Sequence, residues 1–143
     1  MVIKSNIADY QNILFVPKGV YSSTGVLRFQ SDGSSGGAVL DCMRHDDIDN
    51  TVEIDVTSID DVLECADATF IKMDLEGAEW EALHGAERTI LRNKPKLGIC
   101  IYHSNEDRLR LIEYIHDLVP EYHFYIRQHS KLLNETVLYA ILD

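Results

Sequence analysis

The sequence predicts an α/β domain built on a mostly parallel sheet whose last strand runs antiparallel, and three observations predict it. From residue 69 the chain alternates strand, helix, strand, helix, strand, strand, and such alternation implies parallel strands joined by right-handed crossovers. Leu97–Tyr102 is a continuous apolar run, as a strand buried on both faces requires. The last two strands are joined by a short polar loop, across which only an antiparallel partner can be reached.

The elements follow in order. Val2, Ile3, Ile7 and Tyr10 lie roughly on one face, so residues 1–11 are expected to be the tail of a helix. Residues 12–17 form an apolar strand, and a second strand is expected around Val26–Phe29. The loop Asp32–Gly37 is glycine-rich, but no helix follows it to supply the amide-lined end that a phosphate loop needs. It is expected to be a linker within the domain. Residues 52–56 alternate apolar and polar like a half-exposed strand, and Ser58 with Asp61 resembles a capping box for a short helix through about Leu63.

A strand at 69–74 then enters an acidic turn and a helix of roughly 78–93, with Trp80, Leu83, Ile90 and Leu91 on its core face and Pro95 beyond it. Ser104 and Asp107 open the next helix, whose inner face is expected to carry Leu109, Ile112, Ile115 and Val119. Residues 122–127 and 136–142 close the chain as two strands.

Composition bounds the function. The chain has 143 residues, 45% hydrophobic and 26% charged, which fits a single domain, residues 1–143, with one core. A formal net charge of −11 argues against nucleic acid, whose phosphates need a basic face, and disfavours anionic membranes. No apolar run is long enough to span a bilayer and the start does not resemble a signal peptide, so a cytoplasmic protein is expected. Cys42, Cys65 and Cys100 are too scattered for a disulfide framework or a zinc knuckle. Cys100, inside an apolar run, is expected to be a buried reduced thiol.

The segment Phe70-Ile-Lys-Met-Asp-Leu-Glu-Gly-Ala-Glu-Trp80 holds the chemistry. It sets Asp74, Glu76 and Glu79 at the carboxyl end of a strand, where open α/β sheets keep their ligands. Three clustered carboxylates repel one another; the alternative to a site is an acidic first helical turn favoured by the helix dipole. Tyr102 and His103 leave the next strand at the same edge, Arg127 and His129 the one after, and Glu135 opens the last strand there. Four elements thus deliver acid, phenol, imidazole and guanidinium to one rim. Singly, His103 also reads as a helix cap and Arg127 as half of a structural ion pair. His84, His116 and His123 read as structural, and His45 as part of a solvated acidic loop. A metal held by Asp74, Glu76 and His103 is chemically allowed, but the spacing matches no recognised metal motif, and none is expected.

Ile71-Lys-Met-Asp-Leu-Glu-Gly-Ala-Glu79 with Ala82-Leu-His-Gly-Ala86 resembles the FkbM-type S-adenosylmethionine-dependent methyltransferases, and Val56-Thr-Ser-Ile-Asp-Asp61 resembles the segment before it. Pro95-Lys-Leu97, Ile101-Tyr-His103, Glu106-Asp107, Arg127-Gln-His129 and Glu135-Thr-Val-Leu-Tyr139 extend the likeness across about residues 5–143. The resemblance implies a class I, Rossmann-like methyltransferase fold and O-methylation of a small molecule or sugar, with S-adenosylmethionine as cofactor. It also implies catalytic roles for Asp74, Glu76 and His103, and acceptor contacts from Glu79, Tyr102, Arg127, His129 and Glu135.

One departure accompanies the match. The glycine-rich turn after the first strand and the acid after the second, which hold the cofactor in this fold, are not found, so the chain is expected to lack the first two strands. No cofactor-binding residue is assigned. In the family's strand order, 3-2-1-4-5-7-6, that leaves the edge of strand 4 open. Either strand 3 is expected to swing in beside it, or two chains to pair across the gap as a homodimer. The alternatives to an active methyltransferase are a non-catalytic remnant that folds and self-associates, and a metal-dependent hydrolase using the same acidic rim.

Overall fold

The computed structural model describes residues 5–7, 9–30, 51–64, 66–103, 107–131 and 135–143. The linker Asp32–Gly37, the loop containing His45, Cys42, Cys65, Ser104 and residues 1–4 lie outside them. Strand β1 (Gly19–Val20), β2 (Gly25–Gln30) and β3 (Thr51–Thr57) form a small sheet in the order β1-β3-β2, with β1 parallel and β2 antiparallel to β3. A second sheet contains β4 (Phe70–Met73), β5 (Lys96–Cys100), β6 (His123–Gln128) and β7 (Thr136–Ile141), in the order β4-β5-β7-β6. β4 and β5 run parallel, and β7 is antiparallel to both of its neighbours. Helices α1 (Ile59–Leu63), α2 (Glu79–His84), α3 (Glu87–Asn93) and α4 (Asp107–Leu118) accompany the two sheets.

One face of the larger sheet carries the core. Ile71, Met73, Leu97, Ile99, Leu138 and Ala140 alternate onto that face and pack with Ala82, Leu83, Ala86, Ile90, Leu111, Ile115 and Val119 from the three later helices and their ends. Each large aliphatic side chain buried this way contributes about 2 kcal/mol. On the opposite face Gly98 leaves room for two rings: a Cβ there would stand 3.2 Å from Phe70 and 3.5 Å from Tyr139.

Four expectations are corrected. The single helix over 78–93 is two helices, broken at Gly85 and Ala86. A Cβ on Gly85 would collide with the Tyr21 carbonyl oxygen, so the chain turns where it touches the small sheet. Ala86 offers α3 no side-chain cap. Asp60 reaches over from α1 instead, accepting from Arg88 N–H at 2.9 Å and Thr89 N–H at 2.8 Å, so two of the first-turn amides that the break exposes are paired.

Leu91 and Leu109 face outward, 46% and 72% exposed, while Leu111 takes the inner position expected of Leu109. The α4 stripe is therefore Leu111, Ile115 and Val119, with Ile112 half-buried. Residues 12–17 form no strand; the chain becomes extended and paired only at β1. Finally, neither β1 nor β3 swings in to pair with β4. They satisfy one another, and the Asp60 and Gly85 contacts anchor the small sheet at the α2–α3 corner. A hollow of about 540 Å³ lies between the small sheet and the outer edge of β4, lined by Val16, Val20, Thr57, Leu63, Phe70 and Lys72 among others.

Candidate active site

The site begins where β4 ends. Met73 is the last paired residue, Asp74 leaves the sheet, and Glu76 (φ 52°) and Gly77 (φ 99°) take the chain through a left-handed turn into α2. That conformation is open to Gly77 and strained for Glu76. Glu79 holds the turn closed from within: its Oε1 accepts from Leu75 N–H at 2.7 Å and its Oε2 from Gly77 N–H at 2.9 Å. At 2% exposure Glu79 is buried, and these donors offset the cost of taking a carboxylate out of water.

β5 delivers the second half. The Tyr102 hydroxyl donates to Asp74 Oδ1 at 3.0 Å, and the next residue, His103, turns inward. His103 Nδ1 lies 2.9 Å from Glu79 Oε1. A carboxylate only accepts, so Nδ1 donates its hydrogen to Glu79. Nε2 faces two more acids, Glu76 Oε2 at 3.3 Å and Asp74 Oδ1 at 3.8 Å. Neither contact makes a hydrogen bond, and Nε2 is buried without a partner.

Charge is tuned around this cluster. Burial raises the Asp74 carboxyl, but bonds with Tyr102, Cys100 and Lys72 outweigh it and hold the group below its ordinary range. Burial and then the Asp74 hydrogen bond push the Tyr102 phenol up to about 12, so it remains a donor. Lys72 Nζ lies 3.5 Å from Asp74 and 3.4 Å from Cys100 Sγ. Burial works to lower its ammonium, and those two neighbours raise it further. Cys100 is a buried free thiol, as its apolar setting indicated, raised first by burial. Lys72 and Cys100 were missed in the sequence; the signal was the β4–β5 register, which sets Lys72 opposite Gly98 and brings it within reach of Cys100.

Arg127, His129 and Glu135 sit elsewhere along the rim. Arg127 and His129 line a separate hollow of about 390 Å³ with Tyr125, Tyr139 and Ile141. His129 Nε2 lies 2.9 Å from the Tyr139 hydroxyl, and its N–H donates to the Glu135 carbonyl oxygen at 3.0 Å. Among the described residues no hydrogen bond or ion pair joins this group to Asp74 and His103. His84 stacks on Tyr114 at 4.4 Å beside Trp80. His116 packs edge-on against Phe124, and His123 pairs with Asp143 at 3.3 Å.

No helix among the described residues is long and apolar enough to cross a membrane. Comparison with curated proteins gives no match. A solved structure of Methyltransferase FkbM from Methylobacillus flagellatus KT is similar, with 33% sequence identity and a TM-score of 0.72. The match covers 98% of this chain and 32% of that one, so this chain spans about a third of that protein's length. The Methyltransferase FkbM domain family matches residues 3–134. The family match runs through the acidic turn between β4 and α2, and the chain belongs to the FkbM methyltransferase family.

Proposed function

We propose that this chain forms the reaction rim of an S-adenosylmethionine-dependent methyltransferase acting on an oxygen of a small molecule or sugar. The observation that carries the reading is the convergence of Asp74, Glu76 and His103 outside the carboxyl ends of β4 and β5. The strand order β4-β5-β7-β6 equals the second half of the class I order and supports that fold. Bound S-adenosylmethionine supplies the methyl group on a cationic sulfonium, and Asp74 and Glu76 suit the positive end of such a donor.

Asp74 and Glu76 keep side-chain exposures of 46% and 55%, so both meet a ligand from solution. Together with His103 they orient an acceptor hydroxyl and take up the proton it loses, the general-base part of the chemistry. Tyr102, held by Asp74, walls this group. Glu79 has both oxygens occupied by the chain, so its role is to position His103 rather than to touch the acceptor. Arg127, His129 and Glu135 form a second, more distant acceptor contact, suited to an anionic or hydroxyl-rich group. The outer edge of β4 offers a homodimer contact by strand pairing, for which sedimentation of the chain is the check.

Calorimetric titration with S-adenosylhomocysteine tests the reading. Micromolar binding that Asp74→Asn weakens is the expected result. Binding indifferent to Asp74→Asn, or none at all, overturns the assignment of this rim to the methyl donor.

A further inference from the structure

Among the described residues, His103 Nε2 is one of three buried side-chain polar atoms without a hydrogen-bond partner, with Thr89 Oγ1 and Asn93 Oδ1. The His103 side chain is 10% exposed, its Nδ1 is committed to Glu79, and its Nε2 faces two carboxylates, buried and without a hydrogen-bond partner. Nε2 stands 3.3 Å from Glu76 Oε2 and 3.8 Å from Asp74 Oδ1. Asp74, Glu79 and His103 each place a ligand atom within 4.8 Å of the others, and Lys72 pairs with Asp74 at 3.5 Å. An imidazole nitrogen and two carboxylates thus converge on one point, between Nε2, Glu76 and Asp74.

We infer that this point is a divalent metal site, with His103 Nε2, Asp74 and Glu76 as ligands and Glu79 bracing the imidazole through Nδ1. A carboxylate behind a metal-binding histidine fixes its tautomer and raises its basicity, and Glu79 stands in that place. One imidazole and two carboxylates suit transition-series ions such as Mn²⁺ or Zn²⁺. Two of the three ligands are half-exposed, which leaves coordination positions open to water or to an acceptor oxygen. The use of the cation, acidifying an acceptor hydroxyl, rests on the methyl-transfer reading; its binding does not.

The test uses the whole chain, stripped with chelator and titrated with MnCl₂ and, separately, ZnCl₂, without any methyl donor. One cation per chain is expected, with Mn²⁺ broadening the Tyr102 and His103 NMR signals first. Asp74→Asn and His103→Gln should each lower affinity at least ten-fold, and Glu79→Gln roughly ten- to hundred-fold. His116→Gln, on an exposed part of α4, should leave affinity unchanged. Asp74→Asn alters a half-exposed residue, so it remains informative where a buried substitution unfolds the chain. Absence of binding overturns the inference, as does affinity unaffected by Asp74→Asn or broadening centred on other acidic residues. S-adenosylhomocysteine binding without Mn²⁺ binding would sink the metal site alone; the converse would sink the methyl-donor reading alone.

Discussion

Glu79 and His103, 24 residues apart in sequence, meet at 2.9 Å inside the protein, and through them the turn after β4 and the end of β5 become one object. Glu79 ties two amides of the turn and one imidazole nitrogen. Glu79→Gln should therefore cost about 1–3 kcal/mol, since an amide NH₂ must then face a backbone N–H or the His103 nitrogen. A lowered melting temperature checks it, and a variant as stable as wild type would remove Glu79 from the centre of the site.

Tyr102→Phe deletes the hydroxyl that bonds Asp74. Burial then acts on that carboxyl with less opposition, so its pKa should rise toward the ordinary range. Carboxyl ¹³C titration of Asp74 reads the shift directly. An unchanged titration would mean that Lys72 and Cys100 suffice.

Gly85→Ala forces a methyl group onto the Tyr21 carbonyl oxygen and against Ser58 Cβ at 3.0 Å. Because the obstacle is backbone, it cannot rotate away, and a loss of roughly 1–3 kcal/mol is expected. Denaturant unfolding measures it.

Asp60 anchors α1 to the start of α3. Burial raises its carboxyl, but the donors of Thr89 and Arg88 outweigh burial and hold it below the ordinary 3.8. A depressed carboxyl contributes stability fully above its unfolded pKa and loses it as pH falls through the folded value. Asp60→Ala should thus cost about 1–2 kcal/mol at neutral pH, and the gap from wild type should close below about pH 4. Urea midpoints across that range decide it.

The two leucines at the start of α4 separate the expected stripe from the observed one. Leu111, 1% exposed, should cost about 2–5 kcal/mol when cut to Ala. Leu109→Ala, at 72% exposure, should change stability by at most about 0.5 kcal/mol.

What was legible in the sequence was whatever depends on near neighbours. β3, α1 with its Ser58 cap, β4, β5, β6 and β7 all lie close to where hydrophobic period and capping residues put them; the Ser58 hydroxyl does accept from Asp61 N–H at 3.0 Å. The convergence of Asp74, Tyr102 and His103 followed from strand direction alone. The break at Gly85 was not legible, because its cause is the Tyr21 backbone and its compensation is a carboxylate 26 residues earlier (Asp60 to Ala86). Leu109 was misplaced because two leucines, two residues apart, offer near-equivalent helical stripes, and only the packed sheet chooses. The inward turn of His103 was likewise hidden, since the carboxylate that draws it in lies on another element.

The small sheet meets the rest of the molecule around Val20, Tyr21, Thr24, Asp60 and Gly85, and much of its own apolar surface stays in water: Val26, Val52 and Ile54 are exposed while Val56 is buried. A region with so few buried apolar groups opens at a smaller free energy than the packed helices and larger sheet. Amide exchange should accordingly fall into two tiers, with β1, β2 and β3 exchanging through local detachment and β4–β7 with α2–α4 only through global unfolding. A protease would find its first cut in the earlier tier, releasing a shorter body in which the Glu79–His103 contact remains whole.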